Sequence, residues 1–306
     1  MALRPEDRLL SVHDVLGPVR VRLLGGSVLA ELTARFGVAA RAKVLAGEVV
    51  DDDGAVVDSG TVLPPGSVVH LYRDLPDEVP VPFDVPVLHQ DADIVVVDKP
   101  HFLATMPRGR HVAQTALVRL RRELGLPELS PAHRLDRLTA GVLLFTTRRE
   151  VRGSYQTMFA RGLVRKTYLA RAPVAPGLAL PRLVRSRIVK RRGHLQAVCE
   201  PGVPNAGDAG GADSARRSVS ADTDHRGAPT SCECTWRALG IPIMGDPLYP
   251  NVISVAAHDF STPLQLLAQR IEFDDPLTGS HREFASTRTL TGATLPTWSA
   301  AADCRP

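Results

Sequence analysis

An aspartate stands in the loop-and-strand stretch Pro131 to Thr147, PAHRLDRLTAGVLLFTT, with His133, Arg134 and Arg137 beside it and the apolar run Val142 to Phe145 behind it. A carboxylate presented from a polar loop against a buried strand can attack an electrophilic carbon or accept a proton. Asp136 is therefore the candidate nucleophile. Taken alone, an acid between two arginines also fits a solvated surface ion pair, so the assignment draws on the rest of the chain.

The loop resembles the HRLDxxTSG signature of the RluA-type family of RNA pseudouridine synthases, with Ala140 where Ser is usual. Further stretches match in the family's order: Ile94 to Pro100 (IVVVDKP), Lys166 to Ala170 (KTYLA), Gly245 to Tyr249 (GDPLY) and Leu266 to Ala268 (LLA). The resemblance covers roughly Val87 to Phe284. It implies an α+β catalytic domain on a mixed, mostly antiparallel sheet with a cleft across it. It also implies isomerisation of uridine in RNA to pseudouridine, with Asp136 catalytic, Tyr168 against the target base and Leu266 lining the pocket. Arg134 and Lys166 are then active-site support, and Lys99 a weaker phosphate ligand. No cofactor is expected, because the reaction neither oxidises nor adds anything.

The charge points the same way. Residues 108 to 192 hold 20 Lys or Arg against four acids, so that segment is +16 and the remainder −12, although the chain totals only +4. So one-sided a balance marks a polyanion-binding face, since each phosphate neutralised releases counterions. Arg108, Arg110, Arg119, Arg122, Arg137, Arg187 and Lys190 are the candidate RNA contacts. The cysteines Cys199, Cys232, Cys234 and Cys304 have neither disulfide-framework nor zinc-ligand spacing, so no metal is expected. No stretch is long and apolar enough to span a bilayer, and MALRPEDRLLSVHD lacks the apolar core of a leader. A cytoplasmic monomer is the expectation. The hydrolase alternative is weaker, because no Gly-x-Ser-x-Gly elbow or paired carboxylate accompanies Asp136.

Several elements must position these residues. Residues 1–76 read as a small α+β domain: a helix over Leu29 to Phe36, a second over Ala40 to Val50 turning to strand at Gly47, then strands around Pro64-Pro65-Gly66. It looks like the alpha-L type RNA-binding module, and equally like a plain packing domain. Residues 77–87 are a Pro-rich linker, 88–290 the catalytic domain and 291–306 a tail. Within the catalytic domain the patterning predicts a strand at Ile94 to Val97, a helix from Val112 to Leu124, a helix from Glu150 to Arg161 and a strand from Val164 to Ala170. Arg182 to Arg192 alternates apolar residues with cations, as a strand edge facing RNA would.

One stretch departs from the family. Before GDPLY the resemblance calls for a long strand and the segment TGRTHQLRVH, whereas residues 207–236 are rich in Gly, Ala, Asp and Ser without periodicity. By composition this stretch is expected to be disordered. Its codons can nevertheless be read in shifted frames that restore the missing text: GDAGGA as VTRVEL, DTDHRG as TPTTG, and GAPTSCECTW as RTHQLRVHV. Single-nucleotide insertions that together add one codon would leave Arg237 to Tyr249 in frame. On this account Cys232 and Cys234 are accidents of frame, a central strand is missing, and Asp136 has lost the Arg that the family pairs with it. The expected alternative to a synthase is then a non-catalytic RNA-binding relic.

Overall fold

The computed structural model describes residues 16–72, 77–109, 111–173, 182–191, 193–213, 218–223, 233, 236–237 and 239–290, and Arg110 lies outside them. Contacts divide the chain into two compact units: Met1–Glu78 with Arg108–Ala113 and Arg121–Pro127, and Val79–Pro107 with Gln114–Leu120 and Glu128–Pro306.

In the first unit, strands β1 (Val19–Arg22), β3 (Val49–Asp51) and β5 (Val68–Leu71) form an antiparallel sheet in the order β1-β5-β3, while β2 (Gly26–Ser27) pairs β4 (Val62–Leu63). Helix α1 (Val28–Leu45) buries Val28, Leu32, Ala40 and Val44 against that sheet. Ser27 caps it, its hydroxyl accepting from the Ala30 amide at 3.3 Å. Gly37 interrupts it at φ 77° and ψ −161°, a conformation glycine adopts freely, so the two helices read from the sequence are two arms of one bent element. Residues 16–72 carry five Lys or Arg against six acids, so the positive charge of the chain is not generated here.

The second unit is built on one large sheet. Its strands are β6 (Val87–Gln90), β7 (Ile94–Lys99), β8 (Ser130–Pro131), β9 (Ala140–Thr146), β10 (Arg165–Arg171), β11 (Arg182–Val189), β12 (Val198–Glu200), β13 (Ala206–Asp213), β14 (Ser218–Thr223), β15 (Leu266–Asp274) and β16 (His281–Ala285). The order runs β12-β11-β13-β14-β10-β15-β9-β7-β6, with β16 on β15 and β8 on β9. The β9–β15 pair is parallel, and the other pairs are antiparallel. Strands β7 and β9 are buried along their whole length, which is why they read as continuous apolar runs. Ile94, Val96, Val142 and Leu144 pack with Val151, Tyr155 and Met158 of helix α3 (Arg149–Ala160). Below them the Tyr155 hydroxyl donates to Asp275 at 2.9 Å, and Arg282 bridges Asp275 and Asp91.

The structure corrects three expectations. The helix expected from Val112 begins at Ala116 (α2, Ala116–Leu124), because Val112 and Ala113 give their amides to the Glu78 carboxylate. The Pro-rich 77–87 is not a free linker. Val81 and Val85 are buried, and the Arg119 guanidinium donates to the carbonyls of Val81 and Phe83. Finally, 206–213 and 218–223 within the anomalous stretch are not disordered, and no central strand is lost there. Their backbones form the β13 and β14 ladders between β11 and β10, because ladder hydrogen bonds are made by peptide groups whatever the side chains.

Gly141 decides how closely β9, the strand after the Asp136 loop, meets its parallel neighbour β15. At φ 116° it lies opposite Ala268, and a Cβ there would stand 2.1 Å from the Ala268 carbonyl oxygen. Replacing Gly141 with Ala is expected to destabilise the protein by more than about 3 kcal/mol in urea unfolding, through both backbone strain and the clash.

Candidate active site

Asp136 is exposed on the loop between β8 and β9, while the backbone that carries it is fastened from below. The Thr105 hydroxyl donates to the Leu135 carbonyl at 2.8 Å and accepts from the Leu135 amide at 3.1 Å. The Lys99 ammonium, fully buried, donates to the carbonyls of Pro100 at 3.0 Å, Leu103 at 2.8 Å and Arg137 at 3.4 Å. His101 Nδ1 lies 2.7 Å from the Leu138 carbonyl, and the Thr139 amide closes the turn onto Asp136 O at 3.1 Å. Burial lowers the Lys99 pKa to about 7 against the opposing pull of the Asp136 carboxylate, with Arg288 and Arg137 lowering it further. His133, expected to flank the acid, is instead a structural acceptor. Its Nε2 takes the Leu144 amide at 3.2 Å, its ring stacks on Phe159, and burial and then Lys166 hold its pKa down to about 3.

The remaining candidates separate into groups. Tyr168 is buried in β10, opposite Ala268 of β15 and Ala221 of β14, and Leu266 is buried at the start of β15 opposite Ala170. Lys166, half-buried on β10, lies within electrostatic reach of His133. Arg134 is exposed one residue before the buried Leu135, and Arg137 lies over the Phe102 ring. Arg187 and Lys190 are exposed at the β11–β12 hairpin, where Lys190 donates to the Leu195 carbonyl. That hairpin borders a cavity of about 700 Å³ lined by Arg191, His194, Leu195, Gln196 and Val252, which the Asp136 loop does not line. Arg108 and Arg122 are exposed in the first unit. Arg119 is corrected from RNA contact to structural brace, because its guanidinium is spent on Val81, Phe83 and Gln114.

The end of the anomalous stretch brings an acid to this neighbourhood. Glu233 is buried, and burial first, then Asp246 and Asp136, push its carboxyl well above the usual range. Asp246 is also raised by burial, partly offset by the amides of Leu248 and Tyr249 on its Oδ1. Among the described residues, Asp246 Oδ2, Trp236 Nε1, Arg171 Nε and Gln265 Oε1 are buried without a hydrogen-bond partner. Arg171, Met244 and Gln265 are joined by backbone hydrogen bonds, so three of the segments concerned meet. Buried polar atoms of this kind cost about 1–3 kcal/mol each. Arg237, a candidate substitute for the missing Arg, lies over the Tyr249 ring.

Sequence reading missed His101, Phe102 and Thr105. The signal available was weak: a His-Phe pair and a Thr shortly after the Lys-Pro turn, at the end of a strand that runs beside β9.

With this geometry in view, the RNA pseudouridylate synthase family profile matches residues 93–230. An uncharacterized RNA pseudouridine synthase of Synechocystis is 33% identical over 119 residues, 39% of this chain and 41% of that protein. Human pseudouridylate synthase RPUSD2 is 38% identical over 106 residues, 34% of this chain and 19% of its own length. The chain thus spans less than half the length of these curated relatives. Among solved structures, human RNA Pseudouridylate Synthase Domain Containing 1 shares the fold, with a TM-score of 0.51 and 19% identity over 67% of this chain and 84% of that one.

Lys99 gives a pH signature. Its ammonium is lost near pH 7 in the fold and near its ordinary 10.5 when unfolded, so between those values the unfolded chain holds the extra proton and stability rises with pH. Lys99→Met is expected to flatten that rise, seen as a smaller gain in urea midpoint from pH 7 to pH 9 than the unaltered chain shows.

Proposed function

We propose that the chain is an RNA pseudouridine synthase of the RluA type, as the family profile over residues 93–230 supports, and that it isomerises specific uridines of ribosomal or transfer RNA to pseudouridine, with Asp136 as nucleophile. The observation that carries the proposal is the exposed Asp136 carboxylate on a loop whose carbonyls are held by Lys99, His101 and Thr105. Such anchoring pre-pays the orientation of the attacking group.

In the reaction the C1′–N1 glycosidic bond breaks, the uracil turns, C1′–C5 forms, the proton on C5 leaves to solvent and N1 takes up a proton in its place. Asp136 can serve by adding to the sugar or the base, or by taking a proton from the sugar. Reaching the nucleotide requires unstacking it, which favours single-stranded loops and an aromatic such as Tyr168 as the stacking partner. The exposed cations of the β11–β12 hairpin, Arg187 and Lys190, supply phosphate contacts.

A second reading rests on Glu233. The end of the anomalous stretch brings a buried acid within electrostatic reach of Asp136, where the resemblance calls for a basic segment, and that favours an RNA-binding protein of low or no turnover.

Two measurements decide. RNA labelled with tritium at C5 of uracil is expected to lose label to the unaltered chain at a reduced rate and to a frame-restored chain carrying RTHQLR at full rate, with Asp136→Asn reducing either to background. Equal, background release from all versions, with RNA still bound, would establish the binding-only reading.

A further inference from the structure

Asp136 is exposed, so its aim is set by the backbone on either side of it and by the side chain next in the chain. Three carbonyls of that backbone are held, those of Leu135, Arg137 and Leu138, and the bond to Leu138 from His101 is the shortest at 2.7 Å. A carbonyl only accepts, so Nδ1 of His101 must carry the proton. Burial keeps the ring pKa near 4, so near neutral pH the ring is the uncharged Nδ1–H tautomer and adds no charge beside the nucleophile.

The next residue bears a backbone cost. Phe102 has φ 66°, and no other described residue besides glycine has positive φ. For an aromatic side chain that region costs about 1–2 kcal/mol, and it persists only where the surroundings over-determine it. Here they do. The Phe102 ring is buried, stacked at 6.2 Å on Phe83 and edge-on at 5.3 Å to Phe260. The resulting geometry turns the Phe102 carbonyl toward Arg137 Nη1 at 3.4 Å and sets the ring 6.0 Å from the Arg137 guanidinium carbon, at the outer edge of cation–π range.

We propose that His101 and Phe102 are a positioning brace for the nucleophile, His101 fixing the loop backbone and Phe102 seating the guanidinium of the next residue in the loop, Arg137, for an RNA phosphate. The proposal rests on the synthase reading for its catalytic consequence and on the loop geometry for its structural one. The brace touches neither base nor sugar, so its loss misdirects the attack without emptying the site.

The test compares His101→Ala, His101→Asn and Phe102→Gly in the frame-restored chain. His101→Ala is expected to lower kcat on the order of 10-fold with KM within about twofold, because a misplaced nucleophile loses rate and not binding. His101→Asn should recover most of that, since its amide reaches the same carbonyl. Phe102→Gly keeps the backbone angle and removes the ring, so KM for RNA should rise several-fold and its salt dependence weaken as Arg137 leaves its seat. In parallel, amide exchange in 133–140 should quicken in His101→Ala and not in His101→Asn, with β7 unchanged. Unaltered exchange in 133–140, or an Asn variant no better than Ala, overturns the brace. Tritium release from Asp136→Asn equal to that of its parent overturns the synthase reading instead, and the exchange measurement still decides the brace.

Discussion

A single buried ammonium organises this site. Lys99 ends a strand buried along its whole length, and at full burial its amine is met by three backbone carbonyls, with the Asp136 carboxylate in electrostatic reach. Isolated charge in such a position is prohibitive, which makes the arrangement mutually dependent. Those carbonyls belong to Pro100, Leu103 and Arg137, and the last of them ties the loop that carries Asp136 to the strand that ends in Lys99. The strand that supplies Lys99 runs antiparallel to the one that follows Asp136, so one ladder fixes both ends of the interaction.

Much of this was legible in the sequence because it depends on patterns that survive as strings. Apolar runs at Ile94–Val97 and Val142–Phe145 announced buried strands, and the polar loop with its flanking cations announced a presented acid. Gly141 was visible as part of a signature, although its reason, the approach of the Ala268 carbonyl, is a tertiary fact. Arg119 was misleading because composition counts charge and not its use: a guanidinium that satisfies two carbonyls of a proline-rich segment looks identical in sequence to one awaiting phosphate. His101 was silent for the converse reason. Its bond to Leu138 spans 37 residues, and nothing local marks either partner.

The anomalous stretch separates two kinds of information. Strands β13 and β14 fill their places in the sheet although their residues show no strand pattern, because β10 and β11 present unpaired peptide groups to any extended chain. Chemistry is less forgiving. The end of the stretch puts the buried acid Glu233 within electrostatic reach of Asp136, and Trp236 Nε1 and Asp246 Oδ2 are buried with no hydrogen-bond partner among the described residues. A backbone can be completed by nearly any residues, whereas an active site cannot.

The residue before Lys99 does separate work. Asp98 is fully buried and receives Ser286 Oγ, the Thr287 amide and hydroxyl, and Arg288, whose guanidinium also reaches the carbonyls of Asp98 and Asp84. A segment after the final strand thereby supplies the counter-charge of the strand that ends in Lys99. Any shortened version of the catalytic unit must therefore retain Arg288: cutting the chain where β16 ends would leave a carboxylate sealed in the core beside the lysine on which the site is built.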